Sequence, residues 1–399
     1  MKTCIYCGKE KPDNEFTKEH IWPDALGGDH LPDLWRTDDV CANCNNMSGL
    51  FVDGSFIKSW PGSAERAFGA REYLSPSRAN AGVIPLNYMG VLPEVPTRED
   101  EIAEYWVGPC GANIVHIRPN DSAEHWASYA GGDPRLKRSH GGRAYIALTS
   151  EQPFWILVSL ASFKAHFDKA ERFVVNMDVP PQWRGFFKKP DITDPVQAGD
   201  MGVVTTVISA GHVGQDIRGK AVIELDVEDR FLAKLGLAIG HKLLGARFLA
   251  SDYAKNLQRA FREADVKKRR QIPLRGTGYL NEIGLGGSER VLFWPGGWVL
   301  LLNVVDQHLV LTIVAPSSRT MVLVVCDNPT LVSKLDKAYR DGSVWITIPA
   351  FGQAVGPIPL SNYIAHQTNA LRLPELVALA NQRTDQKALP PCDANDGTT

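Results

Sequence analysis

Cys4-Ile5-Tyr6-Cys7 and Cys41-Ala42-Asn43-Cys44 are the two stretches whose reading decides the N-terminal fold. A C-x2-C spacing lets one tight turn present two thiolates to one ion. Two such turns complete a closed tetrahedral zinc site with no open position. Gly8, directly after the first pair, suits a knuckle turn. A site of this kind is structural, because it ties the ends of a segment too short to have much core of its own. The zinc ligands read from the spacing are therefore Cys4, Cys7, Cys41 and Cys44. Three further cysteines are scattered. Cys110 and Cys326 read as buried small side chains, and Cys392 falls in the C-terminal tail.

Between the knuckles stand Glu19-His20-Ile21-Trp22-Pro23 and Leu26-Gly27-Gly28-Asp29-His30, and Asn45 and Asn46 follow the last cysteine. The order predicts a short strand bearing Glu19 and His20, a Gly-Gly loop, a second strand over Leu34–Val40 and a helix over Ala42–Ile57. Phosphodiester hydrolysis needs an activated water, a cation at the scissile phosphate and stabilisation of the leaving oxygen. A histidine, with an ordinary pKa of about 6.5, can accept a proton at cellular pH. A carboxylate and an amide oxygen are hard ligands that suit Mg2+ or Mn2+. Adjacent strand residues point to opposite faces. Glu19 and His20 can therefore serve one site only from a strand end or a bulge, and Pro23 fits such an ending.

This arrangement resembles the HNH nuclease family with its ββα-metal fold, and in particular the branch with four zinc-binding cysteines and an Asn directly after the last. The resemblance covers residues 1–60, with a weaker likeness around Phe231–Gly236 and on to Tyr253. It implies roles residue by residue: His20 as general base, and Glu19 and Asn45 as ligands of a catalytic Mg2+ or Mn2+. Arg36, Thr37, Asp38 and Asp39 stand where the family's middle Asn is expected. The resemblance implies a metal-dependent endonuclease acting on DNA. The alternatives are an RNA nuclease and a non-catalytic zinc-stabilised module that binds nucleic acid or protein. In the last case His20 packs and Asn45 caps a helix. His30 is a candidate phosphate contact, Asn46 a support for Asn45, and Asp53 a capping or packing residue.

The 399 residues carry a formal net charge of -2, which excludes nucleic-acid binding through bulk charge. Within residues 1–60, six basic side chains face ten acidic ones, so contacts to phosphate must come from elsewhere. Two clusters are candidates: Arg135, Lys137, Arg138 and Arg143, and Lys267, Lys268, Arg269 and Arg270. The fold class expected is α+β, with an N-terminal zinc module at 1–60 and a linker at 61–100. A larger mixed α+β region follows at 101–382, with a candidate division into two subdomains near 225, then a disordered tail at 383–399. Strands are expected at Tyr105–Val107, Ile114–Ile117, Ala144–Leu148, Val203–Ile208, Val299–Val305, Leu309–Ala315, Met321–Cys326 and Val344–Ile348. Helices are expected at Phe154–His166, over Asp226–Asp265 with breaks at Gly240 and Gly245, and at Glu375–Asn381. No apolar run reads as membrane-spanning, no signal peptide is evident, and a cytoplasmic setting is expected. The C-terminal region is also a candidate surface for a second copy or a partner subunit.

Overall fold

A computed structural model of the chain describes residues 1–75, 82–121, 126, 128–212, 216–223, 227–277 and 289–392. The chain is α+β and forms two compact units that do not follow its linear order. Met1–Ile57 joins Glu224–Arg383, and Lys58–Ile223 joins Thr384–Thr399.

In the first unit, β1 (Lys2–Thr3) pairs antiparallel with β2 (Glu10–Lys11), and β3 (Phe16–His20) with β4 (Arg36–Cys41). Helix α1 (Ala42–Ser48) continues through a π turn at Gly49–Asp53 into Gly54–Lys58. The expected helix is thus present, and its glycines widen it rather than end it. After α2 (Val227–Leu244) and α3 (Asp252–Arg262) come β5 (Gly276–Thr277), β6 (Trp298–Val305), β7 (His308–Val314), β8 (Thr320–Cys326), β9 (Ser343–Ile348) and β10 (Gln353–Pro359). These six make one sheet, in the order β5-β8-β7-β6-β9-β10, with every neighbour antiparallel. Asp306 and Gln307 turn the β6–β7 hairpin with φ of 46° and 65°. Two left-handed residues give a turn whose twist matches the strands it joins.

One core joins the N-terminal segment to α2, α3 and one face of the large sheet. Every second residue of β6 (Trp298, Leu300, Leu302) enters it with Leu309, Leu311 and Ile313 of β7, as the period of two requires. The zinc segment contributes Trp22 and Trp35, both fully buried. Trp22 lies 5.5 Å from Trp298 and 5.9 Å from Phe231, and Trp35 lies 5.4 Å from Trp345. Each such aromatic contributes on the order of 3 kcal/mol through burial. The apolar partners that the short N-terminal segment lacks are thus supplied from the C-terminal half. Helix α2 runs through Gly240, where a break was expected. A Cβ there would lie 2.3 Å from the Phe248 ring, so the glycine permits a close approach instead. Gly245, at φ 69°, ends the helix, and Ser251 caps α3 by accepting from the Ala254 N–H at 3.2 Å.

The second unit has a five-stranded sheet of Asn87–Val91, Glu101–Val107, Asn113–Pro119, Arg143–Ala147 and Glu171–Val174, in chain order. The first four strands pair antiparallel and the last pairs parallel. Helix Pro153–His166 makes the crossover that a parallel pair needs. Val203–Ile208, expected as a strand, lies within helix Pro195–His212. Its β-branched residues suggested a strand, but Val203, Val204 and Val207 are buried at helical spacing. Residues 60–72, expected as part of an irregular linker, form a helix. Ser59 caps it by accepting from the Gly62 N–H at 3.1 Å.

Thr384 to Cys392, expected as a frayed tail, pack on this unit. The Thr384 N–H donates to Glu72 O at 2.8 Å, the Trp155 Nε1–H donates to Pro390 O at 2.7 Å, and Cys392 forms a disulfide with Cys110. Cys110, expected as a buried small side chain, is therefore bonded to the tail. A bond spanning 282 residues leaves no local spacing to read. The rest of the tail, 393–399, lies outside the described residues. No helix among the described residues is long and apolar enough to cross a membrane.

This unit buries an ionic group. Glu104 has no exposed surface, and its carboxylate meets Arg118 at 2.9 Å and His116 at 3.1 Å. Burial alone would raise its pKa, but Arg118 and His116 outweigh burial and hold it at about 2. A carboxyl depressed on folding stabilises the protein above its unfolded pKa, and that contribution is lost as pH falls towards the folded value. The expected outcome is a loss of about 3 kcal/mol between pH ~4.5 and ~2 from this group. Urea unfolding across that range checks it, and Glu104→Gln should flatten the acid limb.

Candidate metal and nuclease site

The first knuckle is the turn between β1 and β2. Gly8 adopts φ 67°, and its N–H donates to Cys4 O at 2.8 Å. Cys41 ends β4, and Cys44 lies in the first turn of α1. The four sulfurs lie within 4.8 Å of one another, and the Cys41 N–H donates to Cys4 Sγ at 3.4 Å. A hydrogen bond from Cys44 pulls the Cys4 thiol down to about 4. Four convergent thiols fit a structural zinc ion.

Glu19 and His20 end β3. The β3–β4 register shifts between the pairs Thr17↔Val40 and Glu19↔Thr37, and then His20 faces Arg36. The expected irregularity is this bulge. It turns Glu19 inward, to 3% exposure, while the His20 side chain stays 24% exposed. Adjacent residues thus serve opposite sides of one strand end.

On the outer side, the His20 ring lies between two carboxylates. Its Nδ1 is 3.1 Å from Asp24 Oδ1, and its Nε2 is 3.0 Å from Asp29 Oδ1. Both acids come from the loop that carries Gly27 and Gly28. Gly27 adopts φ 91°, and a Cβ on Gly28 would lie 1.9 Å from Trp22 O. Only glycines let the loop fold this tightly against the strand end. Thr347 Oγ1 and Trp22 Nε1 both donate to Leu26 O at 2.8 Å and tie the loop to β9 and to its own base. Arg36 donates to the Asp29 carbonyl and lies 3.9 Å from its carboxylate. Burial raises the Asp24 pKa, and Asp29 adds to this.

On the inner side, Glu19 meets a lysine that the sequence reading did not single out. Lys234 of α2 has no exposed surface. Its Nζ lies 2.9 Å from Glu19 Oε1, 2.7 and 2.9 Å from the two Asp53 oxygens and 3.0 Å from His20 O. Tyr6 adds a hydroxyl donor to Glu19 Oε1 at 3.3 Å. Burial pushes Asp53 up to about 6, helped by Glu19 and opposed by Lys234. Burial also disfavours the Lys234 charge, but Asp53 and Glu19 outweigh it and keep that group above its usual range. Two carboxylates sharing one ammonium leave a formal negative excess in a dry place. Burial, with Glu19 adding to it, lifts Asp53, while the two carboxylates keep Lys234 charged.

Asn45 spends its amide nitrogen on Thr17 Oγ1 at 3.0 Å and on Lys18 O at 2.9 Å, pinning β3 just before Glu19. The Asn45 amide nitrogen thus holds the strand, and the Glu19 carboxylate is already paired with Lys234, so as it stands Glu19 does not offer an open oxygen to a divalent ion. His20, Asp24 and Asp29 do bring ligand atoms within 4.8 Å of one another, and their hard oxygens suit Mg2+ or Mn2+. Asn46 is exposed, and the His30 ring lies beside Gly352.

The expected phosphate clusters are partly used up by internal ion pairs. Arg143 is held by Glu101 at 2.8 Å and by Asp200, and Arg135 by Asp133 at 2.7 Å. Lys137 sits 5.5 Å from the Phe167 ring centre, and the Arg138 side chain lies outside the described residues. In the second cluster, Arg269 is 3% exposed and donates to Glu263 O at 3.0 Å. Lys267, Lys268 and Arg270 are exposed. A cavity of about 280 Å³ beside the knuckles is lined by Lys9, Lys11, Arg230 and Arg262 together with Asn43 and Phe261. Its cations come from two distant stretches, Lys9 and Lys11 at the first knuckle and Arg230 and Arg262 in the C-terminal half, so no single charge run announced it.

Residues 4–61 match the model of the HNH endonuclease family. The N-terminal segment is an HNH domain, and its ββα order is β3, β4 and α1. No curated protein and no solved structure matches the chain. In this HNH domain, Cys41→Ser should reduce zinc from about one ion per chain towards none, read by metal analysis of purified protein. Lys234→Met strands the buried Glu19 carboxylate and the half-buried Asp53 and should cost about 3 kcal/mol in denaturant unfolding.

Proposed function

We propose that the chain is a metal-dependent HNH-type endonuclease that hydrolyses phosphodiester bonds in DNA, with His20 as general base. The observation that carries this reading is the placement of His20. The end of β3, gripped at the His20 carbonyl by Lys234, holds the ring at the surface, with a carboxylate against each nitrogen. A base must be fixed within reach of an attacking water and still open to solvent.

Carboxylates only accept hydrogen bonds. With acids on both nitrogens, neither ring nitrogen is open to a water in this arrangement. Asp24 and Asp29 would hold the divalent ion, and in doing so they would give up their hold on the ring. Nε2 would then be free to take a proton from water, while the strand end still fixes the ring. Such an ion, when bound, supplies positive charge at the scissile phosphate. Arg36, across the ladder from His20, is a candidate cation for the phosphate itself. The cavity lined by Lys9, Lys11, Arg230 and Arg262 offers a further hold on the backbone.

A second reading, a nucleic-acid-binding HNH domain without cleavage, is favoured by the commitment of Glu19 to Lys234. A plasmid and an RNA incubated with Mg2+ or Mn2+, and with EDTA as control, decide between the two. Plasmid cutting is expected to depend on the metal and to fall at least ~10²-fold in His20→Ala with zinc content unchanged. Wild-type cutting by a folded His20→Ala preparation would remove the base assignment. Cutting of RNA alone would move the substrate class, and no cutting by the wild type would favour the binder.

A further inference from the structure

We propose that Lys234 is the resident cation of the inner side of the HNH centre, and that Glu19 serves it as counter-ion rather than as ligand of a divalent metal. The inference rests on the HNH reading of the site, but its test needs no cleavage.

An ammonium has three N–H donors. Here three acceptor groups surround it: the Glu19 carboxylate at 2.9 Å, the Asp53 carboxylate at 2.7 Å and the His20 carbonyl at 3.0 Å. Its hydrogen-bonding capacity is therefore filled. These lengths belong to charge-assisted hydrogen bonds, whereas Mg2+ draws oxygens to about 2.1 Å. The lysine has no exposed surface. A divalent ion taking its place would have to expel a buried, paired ammonium, and an unpaired charge in a core is costly.

Asp53 reaches the ammonium from the π turn Gly49–Asp53, which rewinds the helix after α1. An extra residue in a turn changes which side chains face inward. Asp53, eight residues beyond Asn45, is thereby brought to the same cation as Glu19. The contact to His20 O gives Lys234 its function. The ammonium grips the backbone of the base residue from beneath, while Asp24 and Asp29 hold its ring from above. Lys234 is thus a positioning residue, and the divalent ion belongs on the outer side.

Binding of Mn2+ to the zinc-loaded full-length chain, followed by electron paramagnetic resonance, tests this. Wild type, Glu19→Gln, Lys234→Met and the double variant are compared, with circular dichroism and zinc content as fold controls. Glu19→Gln should bind as much Mn2+ as the wild type. Lys234→Met leaves two carboxylates without a cation and should gain about one Mn2+ per chain. The double variant should lose that gain. Reduced Mn2+ binding by Glu19→Gln with Lys234 in place would overturn the proposal, as would a folded Lys234→Met that gains none. If Lys234→Met does not fold, the Glu19→Gln comparison decides alone. A wild type that cuts nothing would count against the nuclease reading and leave these outcomes readable.

Discussion

A single buried ammonium joins the two ends of the functional unit. Lys234 reaches the carbonyl of His20 across 214 residues of sequence and holds Glu19 and Asp53 in the same grip. A lone charge in a protein interior is unfavourable, and only a full set of acceptors makes it tolerable. The acceptors come from a strand end, a π turn and a backbone carbonyl. Each must be in register for the others to be satisfied. The orientation of the strand end that bears His20 is therefore a property of the whole unit and not of the HNH segment alone.

The same dependence appears in the apolar contacts. Trp22 and Trp35 flank the Gly-Gly loop, and both find their partners on the large sheet, at Trp298 and Trp345. The four thiols can close the knuckles onto zinc, but they cannot bury two indoles. Metal and sheet thus divide the work: one fixes the chain ends of the segment, the other covers its apolar face. This explains why the C-terminal half packs in one core with Met1–Ile57, while the stretch between them folds around its own sheet.

Charge shows a related division. The clusters most visible as runs of basic residues include side chains spent internally, such as Arg143 between Glu101 and Asp200 and the buried Arg269. The basic side chains that line one cavity, Lys9, Lys11, Arg230 and Arg262, come from the first knuckle and from the C-terminal half, and of these Lys11 is paired with Glu15 and Arg230 donates to the Phe51 and Phe261 carbonyls. A basic run records local composition, whereas a phosphate responds to the field of groups brought together by folding.

By itself the sequence determined what depends on short spacing. Two C-x2-C turns, a helix starting at Ala42 and hairpin strands with a period of two all follow from contacts between near neighbours. An irregular ending of β3 was expected so that Glu19 and His20 could serve one site; the bulge is there, yet the two side chains face opposite sides. Tertiary structure alone decided which way each of them turned. Asp24 and Asp29 flank the imidazole because a glycine loop doubles back, and Lys234 claims Glu19 because α2 packs beneath β3. The helix at Val203 and the bond from Cys110 to Cys392 belong with these. Burial on one face overrode β-branched composition in the first, and distant segments met in the second. Pairing between remote groups is set by the packing of whole elements, and no local pattern encodes it.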